Sequence, residues 1–475
     1  MFRKIIAPLT LAVAALSIAA AVVGIDEEGE CSLDDGGSCE AQKNGSRRRQ
    51  PKCADKEEEC GTWAKAGECT NNPNYMLVNC PISCDSCPEP LDLPEEILDL
   101  LDRVSNYGPY QRVEGVDSEK TIDVVRKTVA YMENEIYGED ASHELSEEIL
   151  EDARGVALIN QLETNRAAIG ECEANKAYMK VKCAPSCQTC DMIDIDNRCP
   201  PLDESVRPGL LPGELNSMFE RIVETAPGNQ TGEVEIASGM TNYTVHVHSR
   251  PEPQIEKGQQ PIISKAVDKE QPPWVITFEN FLTEDECTHM IEQGRKAEYE
   301  RSEDVGEVQA DGSYDSVRST GRTSENAWCS FRDGCRNDTI VELVHDRIAK
   351  VTGIGANHSE DFQILKYEPG QFYRQHHDYI EHQRDRRCGP RVLTFFLYLS
   401  DVEEGGATNF PKLGIAVKPK VGRALLWPSV LNSEPRNKDG RTDHEAQDVI
   451  AGVKYGANAW IHLHDYQAAQ EEGCT

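Results

Sequence analysis

Six cysteines fall within 35 residues, at Cys53, Cys60, Cys69, Cys80, Cys84 and Cys87, and this cluster limits the possible folds more than any other feature. So short a stretch cannot bury enough apolar surface to fold unaided, and cross-links must hold it. Zinc is one option, because Cys84-x-x-Cys87 has ligand spacing. Disulfides are the other, and the N-terminus bears on the choice. Arg3 and Lys4 precede an uncharged run from Ile5 to Gly24, with Ala19–Ala21 before the acidic Asp26–Glu30. That is the pattern of a secretory signal. Residues 1–24 are expected to be cleaved, with an uncleaved type II membrane anchor as the alternative, since the run approaches the ~20 residues that span a bilayer. The route leads to the endoplasmic reticulum lumen, or onward to secretion. Eighteen cysteines in such a compartment, with no histidine near the cluster, favour three disulfides. Sequons at Asn44, Asn229, Asn242, Asn337 and Asn357 fit a glycoprotein on the same route. Cysteine spacing alone leaves the connectivity open.

The run Cys53-x-Asp55…Cys60…Trp63-Ala64…Gly67-Glu68-Cys69…Asn72-Pro73…Tyr75-Met76…Cys80…Cys84…Cys87 resembles the ShK-toxin-like module over residues 53–87. The resemblance implies the pairs Cys53–Cys87, Cys60–Cys80 and Cys69–Cys84. A second copy, at 156–190, repeats the spacing as Gly170-Glu171-Cys172…Tyr178-Met179…Cys183…Cys187…Cys190. Val156 and Glu163 stand where its first two cysteines would be. By the family pairing only Cys172–Cys187 survives. Cys183 and Cys190 would then pair together, pair with Cys199, or stay free.

Around these modules the composition shifts. Residues 25–52 read as a disordered linker, acidic and Gly/Ser-containing, with Cys31, Cys39 and the basic Arg47–Arg49. Residues 89–155 read as a helical spacer, with helix starts at Leu93–Leu101 and Ser146–Glu151. Residues 200–270 are rich in Pro and Gly and read as a linker with some strand content. From 273 to 466 the pattern is globular: a strand at Trp274–Phe278, then a capping-box start at Thr283-Glu-Asp-Glu286. The multidomain chain should therefore end in an all-β-core domain with flanking helices.

That last domain carries the chemistry. After a strand at Phe362–Tyr367 comes Glu-Pro-Gly370-Gln-Phe-Tyr373-Arg-Gln-His376-His377-Asp378-Tyr379. Residues two apart on an extended segment share a face, so His376 and Asp378 point the same way, and His377 points away. A distant third ligand would complete a 2-His-1-carboxylate triad, which holds iron(II) and leaves positions open for cosubstrate and O2. His444 is available, with Lys454 ten residues later and Trp460 six beyond that. A buried carboxylate far from the metal needs a cation, which a Lys can provide. Short strands at Val392–Leu399, Gly414–Pro419 and Ala424–Trp427, with the turn Glu404-Gly405-Gly406-Ala-Thr408, suggest a jelly roll, or double-stranded β-helix.

Over Pro273–Tyr466 the sequence resembles the prolyl 4-hydroxylase family of 2-oxoglutarate oxygenases. It carries Tyr-x-x-Gly-Gln-x-Tyr-x-x-His-x-Asp-Tyr from Tyr367 to Tyr379, the Glu-Gly-Gly-x-Thr turn, and the His-Lys-Trp interval. The resemblance implies His376, Asp378 and His444 as Fe(2+) ligands, with Lys454 on the far carboxylate of 2-oxoglutarate and Tyr367 and Thr408 helping to hold it. Tyr373, Arg391 and Trp460 would lie near the peptide and the reacting centre. The implied reaction hydroxylates proline at C4, turns 2-oxoglutarate and O2 into succinate and CO2, and uses L-ascorbate to rescue uncoupled turnovers. Two departures stand out. After His444 the chain reads Glu445-Ala-Gln-Asp-Val449 where many members have x-x-Cys-Pro-Val, and Tyr314–Thr323 matches the substrate-covering segment only loosely.

Charge narrows the partner. With 49 Lys+Arg against 83 Asp+Glu the net charge is −34, which repels nucleic acid and suits a basic or neutral proline-containing protein or peptide. Hydroxylation of another side chain, such as lysine, and a secreted, non-catalytic binding protein are the rival readings. Oligomeric state is not legible.

Overall fold

The computed structural model describes residues 55–86, 118–136 and 166–475, apart from short stretches at 58, 73–74, 77–78, 232–234, 253–263, 310–311 and 331–333. The signal segment, the 25–52 linker, Cys53, Cys87 and the helix starts expected at 93–101 and 146–151 lie outside the described residues.

In the first module the disulfides Cys60–Cys80 and Cys69–Cys84 are formed, two of the three pairs that the resemblance implies. Helices Cys60–Lys65 and Glu68–Asn71 meet at Gly67, whose φ of 89° suits a residue without a Cβ. Met76 packs with Cys60 and Cys80 in a core of its own. The Asp55 carboxylate accepts the Ile82 and Ser83 amides at 2.9 and 3.1 Å, joining the module's two ends.

The second module repeats this plan. Gly170 has φ 92°, and short helices Glu171–Ala174, Lys176–Lys182 and Ala184–Cys187 surround the Cys172–Cys187 disulfide. Helix Ser118–Tyr131, within the stretch expected to be helical, packs on it: the Tyr131 hydroxyl accepts the Cys190 amide at 3.1 Å. Cys199 pairs with Cys474, 275 residues on, and not with Cys183 or Cys190.

The C-terminal part is built on two antiparallel sheets. The larger runs Thr244–Ser249, Val275–Glu279, Ala424–Pro428, Arg391–Tyr398, Lys454–His462, Gln363–Tyr367, Glu325–Trp328 and Glu300–Arg301 in spatial order. The smaller runs Ile415–Val417, Thr408–Phe410, His444–Ala446 and Tyr373–His376. Arg391–Tyr398 is central and buried from Val392 on, which explains its run of aliphatic and aromatic residues interrupted only by Thr394. Helix Glu284–Lys296 starts in the capping box read from Thr283 and Glu286. Helix Thr339–Thr352 starts at an Asp338 cap and stops at Gly353.

One expectation needs correction. The segment read as a linker over 200–270 is, in large part, a wall of this domain. Helix Glu214–Thr225 buries Leu215, Met218, Phe219 and Ile222, an i, i+3, i+4, i+7 stripe. Phe219 stacks on Trp274 with centroids 5.2 Å apart. Strand Thr244–Ser249 forms the sheet edge against Val275–Glu279. Asn229, one of the expected glycan sites, exchanges hydrogen bonds with both backbone groups of Val245, so its amide already pins the loop to this strand. The domain also runs past Tyr466, through helix Tyr466–Glu471 to Cys474. Phe219→Ala should lower unfolding free energy by about 3–5 kcal/mol in a denaturant titration. A true linker residue would change it by no more than about 0.5 kcal/mol.

Candidate active site

Strand register assembles the site. His444–Ala446 pairs antiparallel with Tyr373–His376, placing His444 directly opposite His376, and Asp378 follows just beyond the strand end. One ligand atom from each of His376, Asp378 and His444 lies within 4.8 Å of the others. His376 Nε2 is 3.9 Å from Asp378 Oδ1, and His444 Nε2 is 3.5 Å from Asp378 Oδ2.

The tautomers follow from the next shell of contacts. His376 Nδ1 meets the Arg374 carbonyl at 2.8 Å and His444 Nδ1 meets the Thr442 carbonyl at 3.0 Å. A carbonyl can only accept, so each Nδ1 carries the proton and each Nε2 offers its lone pair inward. Thr394 donates to Asp378 Oδ2 at 2.6 Å and fixes that carboxylate. Burial opposes ionisation of Asp378, but His444, His376 and Thr394 outweigh it and hold the carboxyl at about 2. Burial, reinforced by His444, pushes His376 down to about 3, so its imidazole is neutral at ordinary pH. Two imidazole Nε2 atoms and one carboxylate suit a divalent iron that keeps open positions.

Lys454 fits the second half of a cosubstrate site. It is the cross-strand neighbour of Tyr367, is 1 % exposed, and its Nζ has no hydrogen-bond partner among the described residues. The rings of Tyr367, Phe396 and Tyr398 stand 5.0, 5.3 and 5.7 Å from that nitrogen. Burial alone lowers its pKa to about 7. An unpartnered buried ammonium is expensive, and an anion is its natural complement. The Gly405-Gly406 turn makes room: both have positive φ, and a Cβ on Gly406 would lie 3.4 Å from Lys454 Cδ. Thr408 is buried nearby, its hydroxyl accepting from Tyr398 at 2.7 Å.

The other expected residues also gather here. Tyr373 stacks on His376 with centroids 3.5 Å apart, and its hydroxyl donates to Asp304 at 3.0 Å. Arg391 lies over the Trp460 ring, 3.7 Å from its centroid, and reaches the Asp378 carbonyl at 3.5 Å. Its guanidinium is not free, however. Glu360 grips it through two bonds of 2.5 and 3.1 Å, and also binds His462 at 2.8 Å. Arg391 and His462 overcome burial to hold Glu360 at about 2. His377 turns away from the triad to the Asp439 carbonyl at 3.0 Å. Sequence reasoning singled out neither Thr394 nor Glu360, because neither lies in a local motif.

The 2OG-Fe(II) oxygenase superfamily profile matches residues 362–462, a span that includes all three triad residues and Lys454. The ShK domain-like profile matches 52–87 and 164–190, so the second match starts inside the copy read at 156–190. Probable prolyl 4-hydroxylase 7 of Arabidopsis thaliana is 35% identical over 224 residues, covering 42% of this chain and 67% of the relative. Prolyl 4-hydroxylase 2 of the same plant is 33% identical over 240 residues, covering 45% and 75%. This chain belongs to the prolyl 4-hydroxylase family of 2-oxoglutarate and iron(II)-dependent oxygenases. The family implies Fe(2+), 2-oxoglutarate and O2, and the donors present fit the metal and the dicarboxylate. The viral collagen prolyl hydroxylase of Paramecium bursaria Chlorella virus-1, solved with 2-oxoglutarate, aligns at 24% identity with a TM-score of 0.31, covering 40% of this chain and 96% of that one.

Proposed function

We propose that this dioxygenase is a peptidyl-proline 4-hydroxylase of the secretory pathway, acting on proline-containing proteins in the endoplasmic reticulum lumen or beyond it. The observation that carries the reading is the triad's inward-facing donors together with the unpartnered Lys454 ammonium. His376, Asp378 and His444 are the iron ligands, presented by the smaller of the two sheets that form the faces of the jelly roll. Iron bound there supplies activation of O2 coupled to decarboxylation of 2-oxoglutarate to succinate. Lys454 takes the far carboxylate, with Tyr367 and Thr408 shaping its pocket. Thr394 keeps Asp378 in its ligating orientation. Tyr373, fixed by Asp304, stacks against one ligand, while Trp460 and Arg391 wall the peptide side. Ascorbate serves turnovers in which no peptide is oxidised. The signal-like N-terminus and the disulfides support the compartment.

The test is CO2 release from carboxyl-labelled 2-oxoglutarate with iron, using proline-rich and lysine-bearing peptides, followed by mass spectrometry. One added oxygen on proline is expected. Oxygen on lysine alone would overturn the substrate assignment, and no CO2 release under any condition would leave a binding protein.

A further inference from the structure

The second cysteine module contacts the catalytic domain at a place that bears on substrate. A two-stranded hairpin, Asp304–Val308 with Tyr314–Val317, stands apart from both large sheets. Its base is tied to the site: Asp304 accepts from the Tyr373 hydroxyl, and Tyr373 stacks on His376. Its flank rests on the loop after the ligands, with Tyr314 against the His382 ring at 5.0 Å. Its far end is gripped from two sides. Arg386 donates to the Gly312 carbonyl at 2.9 Å. A Cβ placed on Gly312 would sit 2.9 Å from Arg386 Nη1 and 2.9 Å from Ile195 Cδ1, so the backbone there touches both.

Ile195 belongs to the short helix Ile195–Arg198, which directly follows the second module. That helix is itself anchored. Arg198 donates to the Met192 and Gly473 carbonyls, Cys199 is bonded to Cys474, and Lys176 pairs with Glu472 at 3.4 Å. A hairpin without a sheet partner is marginal by itself, so its position is set by what touches it. Here one contact comes from Ile195, in the helix that follows the second module and is tied down by the Cys199–Cys474 disulfide.

We propose that the short helix following the second cysteine module positions the 304–317 hairpin for peptide binding by packing Ile195 against Gly312 at the hairpin's tip. Ile195 is thus a positioning residue, acting through Asp304 and Tyr373 and touching neither metal nor cosubstrate. The degenerate module needs no binding surface of its own for this role. It needs only the anchors that remain: Cys172–Cys187, Cys199–Cys474 and Arg198.

The inference rests on the peptide-hydroxylase reading, and its test separates the two. Ile195→Gly is measured in the full chain by amide hydrogen exchange at the ladder-bonded amides of strands Asp304–Val308 and Tyr314–Val317 and by kinetics on poly(L-proline). Exchange at the hairpin should quicken by about tenfold. The KM for poly(L-proline) should rise about fivefold while kcat and peptide-free decarboxylation stay within about twofold. Ile195→Leu should restore both readouts. Gly312→Ala, which pushes on the same contact, should act in the same direction as Ile195→Gly. Unchanged exchange would overturn the proposal, as would faster exchange with an unchanged KM. The exchange measurement needs no turnover, so it decides the clamp even if poly(L-proline) is not a substrate.

Discussion

His444→Ala is expected to cut 2-oxoglutarate turnover by about a thousandfold or more, with a matching loss of ferrous-ion affinity. The triad supplies only three donors, so one deletion removes a third of the protein's coordination, and the vacated position fills with water or closes. Neighbouring changes should be graded around this result. Thr394→Val keeps all three ligands but frees Asp378 Oδ2 from its 2.6 Å bond, and metal affinity should fall by about 10–100-fold. His382→Ala, in the same histidine-rich stretch, contacts Tyr314 and no ligand, and should leave metal affinity unchanged. Anaerobic titration of the three variants with iron(II) ranks them. A His444→Ala protein that binds iron like the parent would remove the basis for the ligand assignment.

What could be read from the sequence follows a physical division. His376-x-Asp378 is a local pattern, because alternation along an extended segment fixes which way its side chains point. The interval from His444 to Lys454 is nearly local too, since a strand and its return connection set it. Thr394 and Glu360 are different. Each reaches its partner by register: Asp378 lies 16 residues before Thr394, and Arg391 lies 31 after Glu360. No one-dimensional spacing announces such contacts. Cys199–Cys474 is the extreme case, closing across 275 residues. The helix Glu214–Thr225 is a different kind of miss. Its apolar stripe was legible, but the Pro and Gly on either side dominated the composition and made the segment read as a linker.

Lys454→Met should raise the KM for 2-oxoglutarate by about 30-fold to a few thousandfold, since losing one partner of a buried charge pair costs about 2–5 kcal/mol. The parent site should also show a pH signature that the variant lacks. With no anion present, burial holds Lys454 at about 7. A bound carboxylate favours the charged form and moves that pKa upward. Below pH 7 the ammonium is already formed, so affinity is flat. Above pH 7 the free site must take up a proton to bind, and affinity falls by up to about tenfold per pH unit. In Lys454→Met the fall disappears. Stability should change in the opposite sense. The folded-state pKa lies below the unfolded one, so burying Lys454 costs most below pH 7, and the cost is relieved as pH rises toward the unfolded value. Replacing that ammonium with a methionine of similar shape should therefore stabilise the ligand-free protein by about 1–4 kcal/mol near neutral pH. Calorimetry without cosubstrate checks this. A variant less stable than the parent would mean that Lys454 has an anionic partner within the fold, and that its ammonium is not held in reserve for 2-oxoglutarate.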